Sequence, residues 1–164
     1  MKLLVMVLAL MLSGCQIGYR VKSDSVVWVH WNEGTGRVEQ TLERARPGLF
    51  RRLSDSYGAT LNYVYYEATL IGGANPSTFL VLSDTYSRDK TSLYFMGRKV
   101  DKAQAESIVI LGTNYAADDF SVFYRRSRII GAKPDNFSIE DFENSEVYSC
   151  YLASLRECEV PYVQ

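Results

Sequence analysis

The chain has 164 residues, with 18 lysines and arginines against 19 aspartates and glutamates and a formal net charge of −1. That balance excludes a general nucleic-acid-binding role, which needs a clear basic excess. The length suits about one ordinary domain, able to bury a core without metals, and the abundant tyrosine suits strands, where aromatic rings fit a half-buried pleated surface.

Residues 1–14 predict a signal peptide. Lys2 supplies a positive start and Leu3 to Leu12 an apolar run of ten residues, shorter than the roughly 20 that a membrane-spanning helix needs. Leu12-Ser13-Gly14-Cys15 resembles the lipobox of bacterial lipoproteins, which implies cleavage before Cys15 and acylation of its thiol. A plain secretory signal with Cys15 nearby is the alternative. Residues 15–25 then form the lipidated cysteine and a polar tether. Glutamine rather than aspartate at position 16 points, by lipoprotein-sorting patterns, to the outer membrane with the protein facing the periplasm.

From residue 26 a period of 29 organises the chain. Ala45, Ala74, Ala103 and Ala132 keep that step (74 − 45, 103 − 74 and 132 − 103 are each 29). So do Phe50, Phe79, Ile108 and Phe137, and so do Leu42, Ile71, Val100 and Ile129, while Trp28, Tyr57, Tyr86 and Tyr115 open the units. Such a period predicts one supersecondary unit used four times, each burying its apolar face against its neighbours.

In unit two, Asn62 to Tyr66 and Thr69 to Ile71 read as a hairpin. In unit three the break between the strands is Met96-Gly97, where glycine takes the positive φ of a tight turn. Ala-x-Pro-x-x-Phe follows, with Asn75 as a helix cap, Pro76 at the first helical position and Ala74 with Phe79 as a hydrophobic staple. The predicted fold class is α+β and β-rich: one domain over residues 26–164, in which four hairpin-plus-helical-turn units form a curved antiparallel sheet. The first unit, with Val26 to Trp31 and then Gly34-Thr35-Gly36, departs from the pattern as a terminal repeat does. Ser145 to Glu157 closes the other end as a strand or a short helix. Cys150 and Cys158, in an exported chain, predict a disulfide in this cap; they lack the C-x-x-C spacing of a redox pair.

Asp89-Lys90-Thr91-Ser92-Leu93-Tyr94-Phe95 with Gly97-Arg98-Lys99-Val100, and Gly73-Ala74-Asn75-Pro76 and Gly131-Ala132-Lys133-Pro134 at the helix entries, resemble the DKNYY-repeat family of bacterial envelope lipoproteins. Asn62 keeps the family asparagine in unit two and Asp118 its aspartate in unit four. The likeness spans about Tyr57 to Phe142. It implies an exported repeat protein and supplies no catalytic residues.

Reactive constellations are scarce. His30 is the single histidine, sits on an aromatic strand and has no positioned nucleophile for a Ser-His-Asp triad. Zinc and iron sites want more ligands than one histidine and these cysteines offer. Gly34-Thr35-Gly36 reads as a turn, since a phosphate loop needs further glycines and a lysine. Asp118-Asp119 and Glu140, Asp141, Glu143 and Glu146 are the material for a carboxylate-based hydrolase, but Asp118 shares its repeat position with Asp89, which suggests a turn role, and no calcium loop is evident.

Binding is the better-supported use. Tyr124, Arg125, Arg126 and Arg128 stand at a hairpin tip, with Arg44, Arg46, Arg51 and Arg52 as a second basic group; arginine with tyrosine suits carboxylate and phosphate groups and protein hot spots. A solvated polar face is the alternative. The expected function is a lipid-anchored protein-interaction module, without catalysis or cofactor. In concrete form it is an immunity lipoprotein neutralising a periplasmic toxic effector. The alternatives are a structural envelope lipoprotein contacting peptidoglycan or outer-membrane proteins and, behind it, the hydrolase.

Overall fold

The computed structural model describes residues 17–153, 158, 161 and 162; the expected signal peptide, Cys15 and Gln16 lie outside them. The described chain is β-rich, with four antiparallel sheets and two short helices. The first sheet holds β1 (Gly18–Val21), β2 (Val26–Asn32) and β3 (Gly36–Thr41), and the second β4 (Arg51–Arg52), β5 (Tyr57–Ala59), β6 (Val64–Tyr66) and β7 (Thr69–Leu70). The third holds β8 (Leu80–Val81), β9 (Tyr86–Arg88), β10 (Leu93–Phe95) and β11 (Arg98–Val100), and the fourth β12 (Val109–Gly112), β13 (Tyr115–Ala117), β14 (Val122–Tyr124) and β15 (Ser127–Arg128). Helices α1 (Ile139–Glu143) and α2 (Tyr148–Ala153) follow. Among the described residues no helix is long and apolar enough to cross a membrane.

Three expectations are corrected. The strands form four separate sheets rather than one curved sheet, because in the second, third and fourth sheets the expected hairpin gains two further strands on one side and builds its own four-stranded meander. The expected helical turns are single 3-10 turns at Pro47–Leu49, Ala105–Ser107 and Pro134–Asn136, and Pro76 to Thr78 is only a hydrogen-bonded turn, capped by the Asn75 side chain on the Ser77 amide at 3.0 Å. Part of the segment expected to be a polar tether is folded instead. Residues 18–21 pair with β2, and Tyr19 is buried against Trp28 with ring centroids 4.9 Å apart.

The pleat explains how sheets this small are stable together. Successive side chains on a strand point to opposite faces, so a three-residue strand sends its middle residue one way and its ends the other. Tyr65, in the middle of β6, joins the core of the first sheet with Trp28 and Leu42. Tyr94, in the middle of β10, joins the second with Tyr57 and Ile71. Phe123, in the middle of β14, joins the third with Tyr86 and Val100. Each sheet thus completes the core of the one before it. Gly58, in the middle of β5, faces back in the same way, and a Cβ there would strike the Phe50 ring.

No further sheet follows the fourth among the described residues, and the segment after it covers its face. Phe142 of α1, Tyr151 of α2, Cys158 and Tyr162 pack on Tyr115, Tyr124 and Ile129. The undecided closing segment is helical at residues 148–153. The expected disulfide is present between Cys150 and Cys158, with their Cα atoms 5.9 Å apart.

Gly97 has a positive φ of 72°, and a Cβ added there would lie 2.5 Å from the Tyr66 Cβ. Gly97→Val therefore meets both left-handed backbone strain and a clash with the neighbouring sheet. A loss of about 2 kcal/mol in denaturant unfolding is expected; an unchanged midpoint would show that the two sheets do not bear on each other here.

Candidate functional site

The hairpin tips of the second, third and fourth sheets converge on one cleft. It has a volume of about 390 Å³ and is lined by Tyr66, Glu67, Thr69, Phe95, Met96, Gly97, Arg98 and Arg126. Each tip is a two-residue loop whose first residue takes a left-handed conformation: Glu67 at φ 52°, Met96 at 48° and Arg125 at 56°. The strain is held by a backbone bond. The amides of Glu67, Met96 and Arg125 donate to Ser56, Thr85 and Asn114 carbonyls, each at 2.7 Å. The tips are thus held in place by the fold itself.

Electrostatically the cleft is lopsided. Arg98 and Arg126 enter it from different sheets, both are exposed, and neither pairs with a carboxylate among the described residues. Glu67 is the single acidic side chain in the lining. Two guanidinium forks over an apolar floor of Phe95 and Tyr66 suit a carboxylate-bearing ligand.

The structure sorts the sequence-derived site residues. Arg125, Arg126 and Arg128 are exposed at the fourth tip. Tyr124 is not available there: it is 2 % exposed and packs on Tyr115, Phe142 and Tyr148, with the Arg125 guanidinium 5.0 Å over its ring. Its partner role is corrected to a core one, since the pleat that turns Phe123 backward turns Tyr124 into its own sheet. Arg98 and Thr69 line the cleft from outside the arginine run of the fourth tip. The period links the two to each other, because position 69 is Arg98 carried back by 29 (98 − 29).

Asp118 and Glu143, like Asp89, carry hydrogen bonds that hold the fold. Asp89 Oδ1 accepts from the Thr91 and Ser92 amides at 2.8 Å each, and its Oδ2 accepts from the Asn75 amide and the Tyr94 hydroxyl at 3.0 Å each. Asp118 repeats this on the Phe120, Ser121 and Gln104 amides at 2.9, 2.8 and 2.8 Å. Glu143 accepts the Tyr115 hydroxyl at 2.8 Å, and the Asp141 amide is capped by Ser138.

A hydroxyl ladder runs through the opening tyrosines. Tyr57 donates to the Thr85 carbonyl and Tyr86 to the Asn114 carbonyl, both at 2.9 Å. Trp28, at the equivalent place, has no hydroxyl, and Tyr19 donates to the Ser56 carbonyl in its stead at 2.9 Å. Burial pushes the Tyr57 hydroxyl up to about 12 and raises those of Tyr19, Tyr86 and Tyr115, so these phenols stay protonated donors.

His30 lies in β2 opposite Val38, and its Nδ1 has no hydrogen-bond partner among the described residues. Gly34 lies in the β2–β3 turn, where Asn32 accepts from the Gly34 and Thr35 amides, and Gly36 opens β3 opposite Asn32. No group of three or more histidine, cysteine, aspartate or glutamate residues placed to hold a metal occurs among the described residues.

No curated protein and no solved structure matches the chain. A family match covers residues 57–112, from β5 through β12, and stops short of the Phe142 to which the sequence likeness extends. That match supports assigning this segment to the DKNYY family.

Proposed function

We propose that this protein is a lipid-anchored, periplasm-facing interaction module, built from four 29-residue units and without catalysis, that grips an acidic region of a partner protein in the tip cleft. An immunity lipoprotein that neutralises a toxic effector is its concrete form. The carrying observation is the convergence of Arg98 and Arg126, unpaired among the described residues, on one preformed cleft. The even spacing of Tyr57, Tyr86 and Tyr115 in β5, β9 and β13 supports the unit structure. The anchor is supported by the Leu12-Ser13-Gly14-Cys15 tetrad, which ends only three residues before β1.

Crosslinking pull-down from intact cells tests the reading. The double variant Arg98→Glu with Arg126→Glu, which leaves the core untouched, is expected to lose the principal crosslinked protein. An unchanged partner profile would make the cleft a solvated surface only.

A further inference from the structure

A second cleft lies where the chain breaks its own pattern. In the third and fourth sheets the aspartate that opens the central hairpin does two jobs. One oxygen caps the turn, and the other accepts an amide from the segment fourteen residues earlier: Asn75 for Asp89 at 3.0 Å, and Gln104 for Asp118 at 2.8 Å. The equivalent residue in the second sheet is Thr60 (89 − 29). Its Oγ1 performs the first job, accepting the Tyr63 amide at 3.1 Å. A hydroxyl has no second oxygen for the other. The amide equivalent to Asn75 belongs to Arg46 (75 − 29), and it makes no hydrogen bond among the described residues.

What surrounds that amide is cationic. Arg46 and Thr60 line a cleft of about 490 Å³ with Arg44, Asn62 and Tyr63, and no acidic side chain contributes to it. Arg44 is held over the Tyr63 ring at 5.6 Å and pairs with exposed Glu43 at 3.1 Å. The Arg46 guanidinium makes no ion pair among the described residues. Leu49 and Leu61, 47 % and 71 % exposed, flank the opening. Recognition here owes nothing to a helix dipole, since the 3-10 turn after Arg46 is three residues long. It draws on two guanidinium groups and on an amide whose two counterparts each hold a carboxylate.

We infer that this cleft takes an aspartate or glutamate side chain of a partner protein, which supplies from outside the carboxylate oxygen that Asp89 and Asp118 supply from within. The inference deepens the interaction reading above and depends on it for the source of the carboxylate. Exposed leucines at the rim favour a peptide over a free ion, because a small anion gains nothing from apolar contact.

The test follows the Arg46 amide by nuclear magnetic resonance in the full chain held in detergent. The probes are an acetyl-Leu-Asp-Leu-amide peptide, acetate and inorganic phosphate. The peptide is expected to move the Arg46 amide downfield. Thr60→Asp is expected to move it downfield with no probe, to raise the unfolding midpoint and to weaken peptide binding by about tenfold or more. An Arg46 amide that ignores both the peptide and Thr60→Asp overturns the site. Equal affinity for acetate, phosphate and peptide overturns the assignment to a partner's side chain. Neither readout involves the tip cleft, so a failure here is separable from a failure of the Arg98 and Arg126 pull-down.

Discussion

Phe142→Ala is expected to cost about 3–5 kcal/mol of stability, the range for emptying a fully buried aromatic site that cannot collapse. Phe142 is 0 % exposed and is the hub of the terminal cap. Its ring lies 5.4 Å from those of Tyr148, Tyr151 and Tyr162, 5.7 Å from Phe137 and 6.2 Å from Tyr115, mostly edge to face. Edge-to-face pairs add to the area term, and removing one ring here undoes several at once. The surrounding elements are tied down and cannot close the gap. The disulfide joins Cys150 to Cys158, and the Tyr162 amide donates to the Ile130 carbonyl at 2.7 Å. Urea unfolding is the measurement, and a loss below about 1 kcal/mol would mean that the cap is dispensable to the fourth sheet. Cap loss should also expose the face of β13 and β14, which dye binding at sub-denaturing urea would detect.

The period made the scaffold legible. Leu42, Ile71, Val100 and Ile129, picked out by spacing alone, are each at most 3 % exposed. Less legible was anything depending on strands of two or three residues. Leu80–Val81 and Tyr57–Ala59 are too short to show an alternation of their own, so the sequence announces a hairpin where the chain builds a meander. Gly18–Val21 was hidden for another reason: it reads as polar linker, and only pairing with β2 makes it a strand. The tips were half legible. A run of arginines marks exposure, but whether Tyr124 joins them depends on pleat phase, which a one-residue shift inverts. The Thr60 cleft was legible only as a missing letter in the repeat. Its meaning required seeing that the aspartate elsewhere reaches the preceding segment with its second oxygen.

Asp89→Ala is expected to cost about 3 kcal/mol, more than its size suggests, because its donors are left behind. The amides of Asn75, Thr91 and Ser92 and the Tyr94 hydroxyl all lose an acceptor, in a place where Asp89 is only 1 % exposed. Tyr94 feels the carboxylate directly: burial, then the bond to Asp89, pushes its hydroxyl up to about 12. Burial acts to raise the Asp89 carboxyl, but the hydrogen bonds from Asn75, Thr91, Tyr94 and Ser92 outweigh it and hold the carboxyl below its ordinary value. A carboxyl depressed in the folded state adds stability that is fully present above the unfolded value of about 3.9 and is lost as pH falls through the lower folded one. The wild-type protein should therefore lose stability on acidification below about pH 4. Asp89→Asn removes the charge and keeps a carbonyl oxygen to cap the Thr91 and Ser92 amides, but its NH2 group no longer accepts from the Asn75 amide. That variant should cost less than alanine at neutral pH and show a shallower acid limb. Equal acid limbs for Asp89→Asn and wild type would show that the carboxylate charge does not stabilise this turn, and the charge that Thr60 lacks would then not be what its cleft seeks.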